Sequence, residues 1–191
     1  MKNLILISFL FAVSFSLSAQ DVWTLDKSHT RVGFTVTHHM ISELDGNFKE
    51  YDAKITTTTE DFSDAVFEFS AKTASINTDF ELRDGHLREA DYFDVEKYPT
   101  LHFKSTFFRK IAGNEYKIIG DLTIKGITKS VELDLWLIGS QMNKRVKQLE
   151  IGVKATGKIK RLDYGIGDNL PLFNVSDQID LRVLGEFRKT N

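Results

Sequence analysis

Apolar and polar residues alternate along most of this chain, the period of two expected of strands buried on one face. The first clear run is Val32, Phe34 and Val36, with Arg31, Thr35 and Thr37 on the other face. A second, from Phe48 to Thr58, changes phase between Phe48 and the set Tyr51, Ala53, Ile55, which predicts a bulge. Ala65, Phe67, Phe69 and Ala71 form the third run, and Leu101, Phe103, Ser105 and Phe107 the fourth. Then follow Tyr116 to Ile124, Val131 to Leu137, Leu149 to Ile159 and Ile179 to Phe187, each alternating. Eight such strands, mostly joined by short turns and with no sheet-covering helices, predict an all-β fold: an antiparallel up-and-down barrel.

One stretch breaks the alternation. Between strands three and four, Thr78 to Pro99 predicts a short helix over about Asp79 to Ala90. Thr78 and Glu81 have the spacing of a capping box, and Gly85 weakens the helix interior by roughly 1 kcal/mol relative to Ala. Pro99 biases Tyr98 to an extended conformation and starts the next strand.

Periodicity alone does not say which face points inward, since an outer-membrane barrel turns its apolar face to lipid. The polar faces decide it. They carry Lys117, Asp121, Glu132, Asp134, Lys154, Lys158, Asp180, Arg182, Glu186 and Arg188, and an eight-stranded interior is only just wide enough for side chains. That many charged groups cannot be paired inside it, so the apolar face is predicted inside. Those inward positions mix rings with small residues such as Ala65, Ser105, Gly120, Ala155 and Gly157. Such a mixture suits a tapering packed core or a ligand cavity equally well.

With 191 residues, 41% of them hydrophobic, the chain suits one domain and a leader. A formal charge of -2 gives no reason to expect nucleic acid. Residues 1–19 read as a signal peptide: Lys2, an apolar run from Leu4 to Phe15, then S-L-S-A. The run is shorter than the ~20 residues a spanning helix needs. A single domain over 20–191 is therefore expected in the periplasm or outside the cell. There is no cysteine, which rules out disulfides and a lipid anchor on cysteine, so stability rests on the packed core.

Candidate chemistry is sparse. His29, His38, His39, His86 and His102 show no i, i+4 pair, and with no cysteine they predict no metal site. There is no G-x-S-x-G nucleophile elbow. Arg83, Asp84 and His86 would either tie the helix to the barrel rim or contact a polar head group, and Arg161 would either pair with Asp163 or do the same. Outward apolar residues Val66, Ile119, Trp136, Ile138 and Leu184 raise the expectation of a homodimer.

The spacing W23-x-L25-D26-x-x-H29, F34-x-V36-x-H38, G46-x-F48, R83-D84-x-H86-L87, F93-D94, Y98-P99-x-x-x-F103-x-S105, G120-x-L122-T123-x-K125-G126-x-T128-K129 and R161-x-D163-Y164-G165 resembles the YceI-like family along essentially the whole chain after the leader. Thr30, where a Ser often follows the histidine, is a minor departure, as are Arg88 to Ala90. The resemblance implies a lipocalin-like barrel, exported to the bacterial periplasm, with an apolar tunnel for polyisoprenoids, isoprenoid quinones or fatty-acid derivatives. It turns the open choice between core and cavity toward a cavity lined by Phe34, Val36, Phe67, Phe69, Phe103, Phe107, Tyr116, Ile118, Gly120, Leu133, Leu135, Val153, Ala155 and Val183. Binding, storage or transport of a lipid without catalysis and without a cofactor is the function it implies. A carrier that loads from and releases to a bilayer is also expected to make transient membrane contact. The alternative is an enzyme working at the barrel mouth with His29, Asp84 or His86 as acid or base.

Overall fold

The computed structural model describes residues 20–190; the leader expected over 1–19 lies outside them. Its strands are β1 (Asp21–His38), β2 (Ser42–Phe48), β3 (Tyr51–Thr57), β4 (Val66–Lys72), β5 (Ile76–Asn77), β6 (Thr100–Ala112), β7 (Glu115–Ile124), β8 (Ile127–Asn143), β9 (Gln148–Lys160) and β10 (Val175–Lys189). One α-helix, α1 (Glu81–Arg88), stands between β5 and β6. All ladders are antiparallel, in the order β10-β9-β8-β7-β6-β4-β3-β1-β2-β5, and β10 returns to β1. The result is a closed eight-membered barrel in which β2 and β3 share one position in the wall.

That sharing, a break between two strands and not the expected bulge within one, is what the phase change at Phe48 marks. β1 pairs with β3 through Asp21 to Thr24 and with β2 through Val32 to His38. Between β2 and β3, Lys49 and Glu50 donate their N–H groups to the Ser75 carbonyl and hydroxyl, both at 3.0 Å. Nearby, β5 pairs only with β2. Between β5 and β6 the wall is therefore completed by α1 and the segment after it, in place of a strand ladder.

The helix forms, but not by the capping box. Phe80 is the N-cap and no side chain caps the helix. Thr78 is already committed elsewhere: its N–H and its hydroxyl both donate to Asp84 Oδ1, at 2.8 and 2.5 Å. Arg83 in turn donates to the Thr78 hydroxyl and carbonyl, each at 2.7 Å. Glu81, the expected box partner, instead pairs with Arg88 at 3.1 Å. A buried carboxylate reached from the same helix outcompetes a local cap.

A second departure lies in β6. The register to β7 slips between Ser105, opposite Gly120, and Phe107, opposite Ile119. Thr106 is thus an extra residue, and beyond it every side chain changes face. Phe107 is 47% exposed, whereas Phe108 is 9% exposed and points inward opposite Ile118.

Most charges of the polar strand faces pair on the outer wall, while Asp26, Asp84, Glu150 and Arg161 are buried. Glu68 bridges Lys54 and Lys104 at 2.9 Å each, Lys117 bridges Glu132 and Asp134, and Lys158 meets Asp180 at 3.3 Å. Inside, the two ends differ. Where β1 begins and β10 ends, the core is solid: Trp23 packs on Phe62 with ring centroids 5.5 Å apart, and Phe108 on Tyr116 at 5.1 Å. The loop carrying Phe62 closes that end, held by Asp64, which accepts from Thr57, Thr58 and Thr59. Those hydrogen bonds, the Thr57 hydroxyl's first, lower the Asp64 pKa well below the usual carboxylate range.

Candidate functional site

Toward the opposite end, where α1 sits, the interior is not filled. A cavity of about 370 Å³ runs from the buried Ile118 and Phe187 up to the exposed Asp45 and His86. The size falls within the roughly 300–1,000 Å³ of ligand pockets. Its wall carries a telling pattern: Phe34, Val36, Phe69, Val131, Leu133, Ile159, Leu181 and Val183 point inward yet are only half-buried. Apolar side chains facing a closed core would be fully covered; these face open space.

Glycines shape this wall. A Cβ on Gly46 would lie 2.2 Å from the Phe34 ring, and one on Gly120 would lie 2.5 Å from the Lys104 carbonyl and 2.6 Å from the Phe103 ring. Aromatic rings lie flat over backbone at both places. Phe34 extends the apolar wall with its neighbour Phe48, 6.1 Å away.

Of the residues expected on the wall, Phe34, Val36, Phe67, Phe69, Phe103, Ile118, Leu133, Leu135, Ala155 and Val183 are there. Phe107 is turned out by the bulge. Tyr116 and Val153 are buried but belong to the solid end, where the Tyr116 hydroxyl donates to the Asp61 carbonyl at 3.0 Å. Gly120 has the Phe103 ring between it and the void. Sequence reasoning left out Leu122, Ile124 and Val131, whose alternation placed them inward, and Leu87, Phe93, Ile166 and Leu170. The latter four lie in non-strand segments, where period two carries no signal.

The polar residues at the mouth separate into holders and liners. Asp84 is 1% exposed and spends its carboxylate on Thr78, so it is a structural tie and not part of the wall. Arg83 and His86 do line the cavity, Arg83 while bonded to Thr78. Arg161 also touches it, yet is 4% exposed and, among the described residues, is bonded to main-chain carbonyls and to no carboxylate. Its Nε donates to Ser176 O, Nη1 to Ile166 O and Gly167 O, and Nη2 to Leu170 O and Val175 O. All five N–H groups are used on main-chain carbonyls, which fold the loop after β9 against the cavity.

His29 is not at the mouth. It lies on the outer wall, where β1 loses register with β10 between Asp26 and Arg31. Its Nδ1 is 2.9 Å from Asp26 Oδ2 and 3.6 Å from Glu186 Oε2. The hydrogen bond to Asp26 raises the His29 pKa. Asp26 itself is held at about 2, chiefly by the Ser28 hydroxyl, with His29 and Arg188 assisting. Asp26, His29 and Glu186 have ligand atoms within 4.8 Å of one another, but the Arg188 guanidinium occupies an Asp26 oxygen and reaches Glu150 at 2.8 Å. A cation thus already takes one of the oxygens that this cluster would offer a metal. The expected acid or base residues His29 and Asp84 thus sit apart, one on the outer wall and one in a structural tie.

Residues 23–187 match the YceI-like domain model. The chain belongs to the YceI-like family. A UPF0312 protein of Photorhabdus laumondii is 35% identical over 161 residues, covering 84% of this chain and 83% of that protein. The crystal structure of the Campylobacter jejuni YceI protein is 36% identical, with a TM-score of 0.74 over 88% of this chain and 98% of that one. A polyisoprenoid-binding domain from Saccharophagus degradans has the same fold, with a TM-score of 0.65 at 14% identity over 88% of this chain and 98% of that domain. The apolar cavity, closed at its Trp23–Phe62 end and open beside α1, is the site that this member of the fold presents.

Proposed function

We propose that this YceI-like protein binds a long-chain amphiphile, such as a polyisoprenoid, an isoprenoid quinone or a fatty-acid derivative, in its barrel and carries or stores it without catalysis. The half-buried apolar wall facing the cavity is the observation that carries the reading. The polyisoprenoid binding of the Saccharophagus degradans domain supports it. Export by the leader over 1–19 would place this activity in the periplasm or outside the cell.

Energetics favour a carrier. Each methylene leaving water gains about 0.8 kcal/mol, but a bilayer is as apolar as the barrel. Exchange between the two is closer to neutral, which allows both loading and release.

Native mass spectrometry and organic extraction of the purified protein test the reading: a co-purifying amphiphile is expected. A variant sharpens it. Val183 faces the void and is half-buried, so Val183→Phe should fill space without displacing backbone. Gly120→Phe would be a poor blocker, because even a Cβ there meets the Lys104 carbonyl at 2.5 Å. Unchanged uptake of a dansylated fatty acid by folded Val183→Phe would sink the assignment of the cavity.

A further inference from the structure

Exposed apolar side chains stand at the end of the barrel where the cavity opens, as Ile111, Ile138, Met142 and Val146 do toward the other end. Met40 and Ile41 are 77% and 87% exposed at the β1–β2 tip, Phe80 and Leu82 are 55% and 64% exposed at the start of α1, and Leu172 and Phe173 are 57% and 61% exposed before β10. Three separate segments supply them, and the fold brings these together. The His39 N–H donates to the Asn174 carbonyl at 2.9 Å, joining the tip to the Leu172 loop. β2 and β5 pair at Asn47 and Asn77, which leads the chain after β5 back along β2 toward the tip. Leu44, Arg83, His86, Leu170 and Val175, beside these segments, line the same cavity.

Side chains this exposed protrude as a fringe. A rigid protein partner needs a fitted surface of roughly 800 Å² on each side, and seated here it would cover the cavity mouth. A fluid apolar medium conforms to a fringe and can feed the mouth. We propose that this rim docks on a phospholipid bilayer by inserting these side chains, the contact through which an amphiphile would enter or leave the barrel; the purpose of the contact rests on the carrier reading above.

The charges around the rim narrow the kind of bilayer. Glu43 and Asp45 follow the tip, Asp79 and Glu81 flank Phe80, and Asp168 precedes Leu172, all exposed. The cations Arg83, Lys125 and Arg161 are bonded to Thr78, to the Gly165 carbonyl and to five loop carbonyls. Among the described residues, the three segments that carry this apolar fringe hold no basic cluster of the kind that draws proteins to anionic lipid. Docking is therefore apolar, and a zwitterionic surface suits it best.

Flotation with phosphatidylcholine vesicles tests this on the processed protein recovered from its expressing cells, its N-terminus checked by mass spectrometry. The wild type should float, and added phosphatidylglycerol should weaken the association. Ile41→Asp and Phe173→Asp should each cut partitioning by ~10-fold or more, since a buried side chain of this size contributes more than one decade. Met142→Asp, at the solid end, should not. Absence of flotation, equal flotation of the rim variants, or flotation that depends on phosphatidylglycerol would each overturn the proposal. So would a wild-type dimer in sedimentation velocity that Ile41→Asp makes monomeric, because the rim would then face a second copy. Uptake of dansylated fatty acid from ethanol, without vesicles, separates the two readings: uptake with failed flotation refutes docking alone, and no uptake refutes the carrier.

Discussion

Replacing Arg161 tests whether this guanidinium holds the loop or serves a ligand. It is 4% exposed, and its bonds to Ile166 O and Gly167 O are fully buried, at 2.8 and 2.5 Å, with three more to Ser176, Leu170 and Val175 partly buried. Arg161→Met keeps much of the side-chain volume but deprives all five carbonyls of their donor. An unsatisfied buried acceptor costs about 1–3 kcal/mol; the two buried ones set the scale, and the partly buried three can turn to water. The expected loss is about 3–5 kcal/mol. For a domain of this size each kcal/mol moves Tm by about 2–4 °C, so Tm should fall by roughly 6–20 °C in a calorimetric scan. Hydrogen exchange should quicken first in the loop 165–175. Arg161→Lys has three donors for five acceptors and should lose an intermediate amount. A Tm within about 1 °C of wild type for Arg161→Met would refute the clamp. Lipid uptake lost without loss of stability would give the residue to the ligand instead.

Other consequences are equally direct. Phe108→Ala should cost about 3–5 kcal/mol in urea unfolding, whereas Phe107→Ala should stay within about 0.5 kcal/mol; similar losses for both would remove the bulge at Thr106. Gly85→Ala should stabilise by about 1 kcal/mol, because a Cβ there meets nothing within 4 Å, and a lower urea midpoint would show that α1 needs the glycine. Asp26, buried and held at about 2 against an ordinary 3.8, should contribute about 2 kcal/mol at neutral pH. Its pKa is depressed on folding, so that contribution is complete above about pH 4 and fades as pH falls through about 2. The stability gap between wild type and Asp26→Asn should close over that window, and a gap constant from pH 6 to 2 would contradict it.

Alternation made the eight-membered barrel legible because a strand covered on one face must place apolar residues at every second position. It failed first at Phe107 and Phe108, where adjacent phenylalanines fit either phase. Only the ladder to β7 decides between them: Ser105 stays inward and its hydroxyl accepts the Phe67 N–H at 2.8 Å, so Thr106 must be the inserted residue. At Thr78 the local rule was valid and lost. Glu81 offered a cap, but Asp84, six residues on from Thr78, offered a buried charged acceptor that two Thr78 donors reach at once.

By itself, then, the amino-acid pattern determined the strand order, the inward face, the place of the helix and, through its motifs, the family. Those properties depend on neighbours along the chain or one strand away. Only the tertiary structure decided that the interior is solid at Trp23 and Phe62 and hollow beside Phe34 and Val183, because a void is the difference between the space the wall encloses and the volume side chains fill. It also decided that Arg161 serves five carbonyls and no carboxylate. A long side chain reaches whatever folding brings near it, and those acceptors, spread from Ile166 to Ser176, meet only when the loop closes over the barrel.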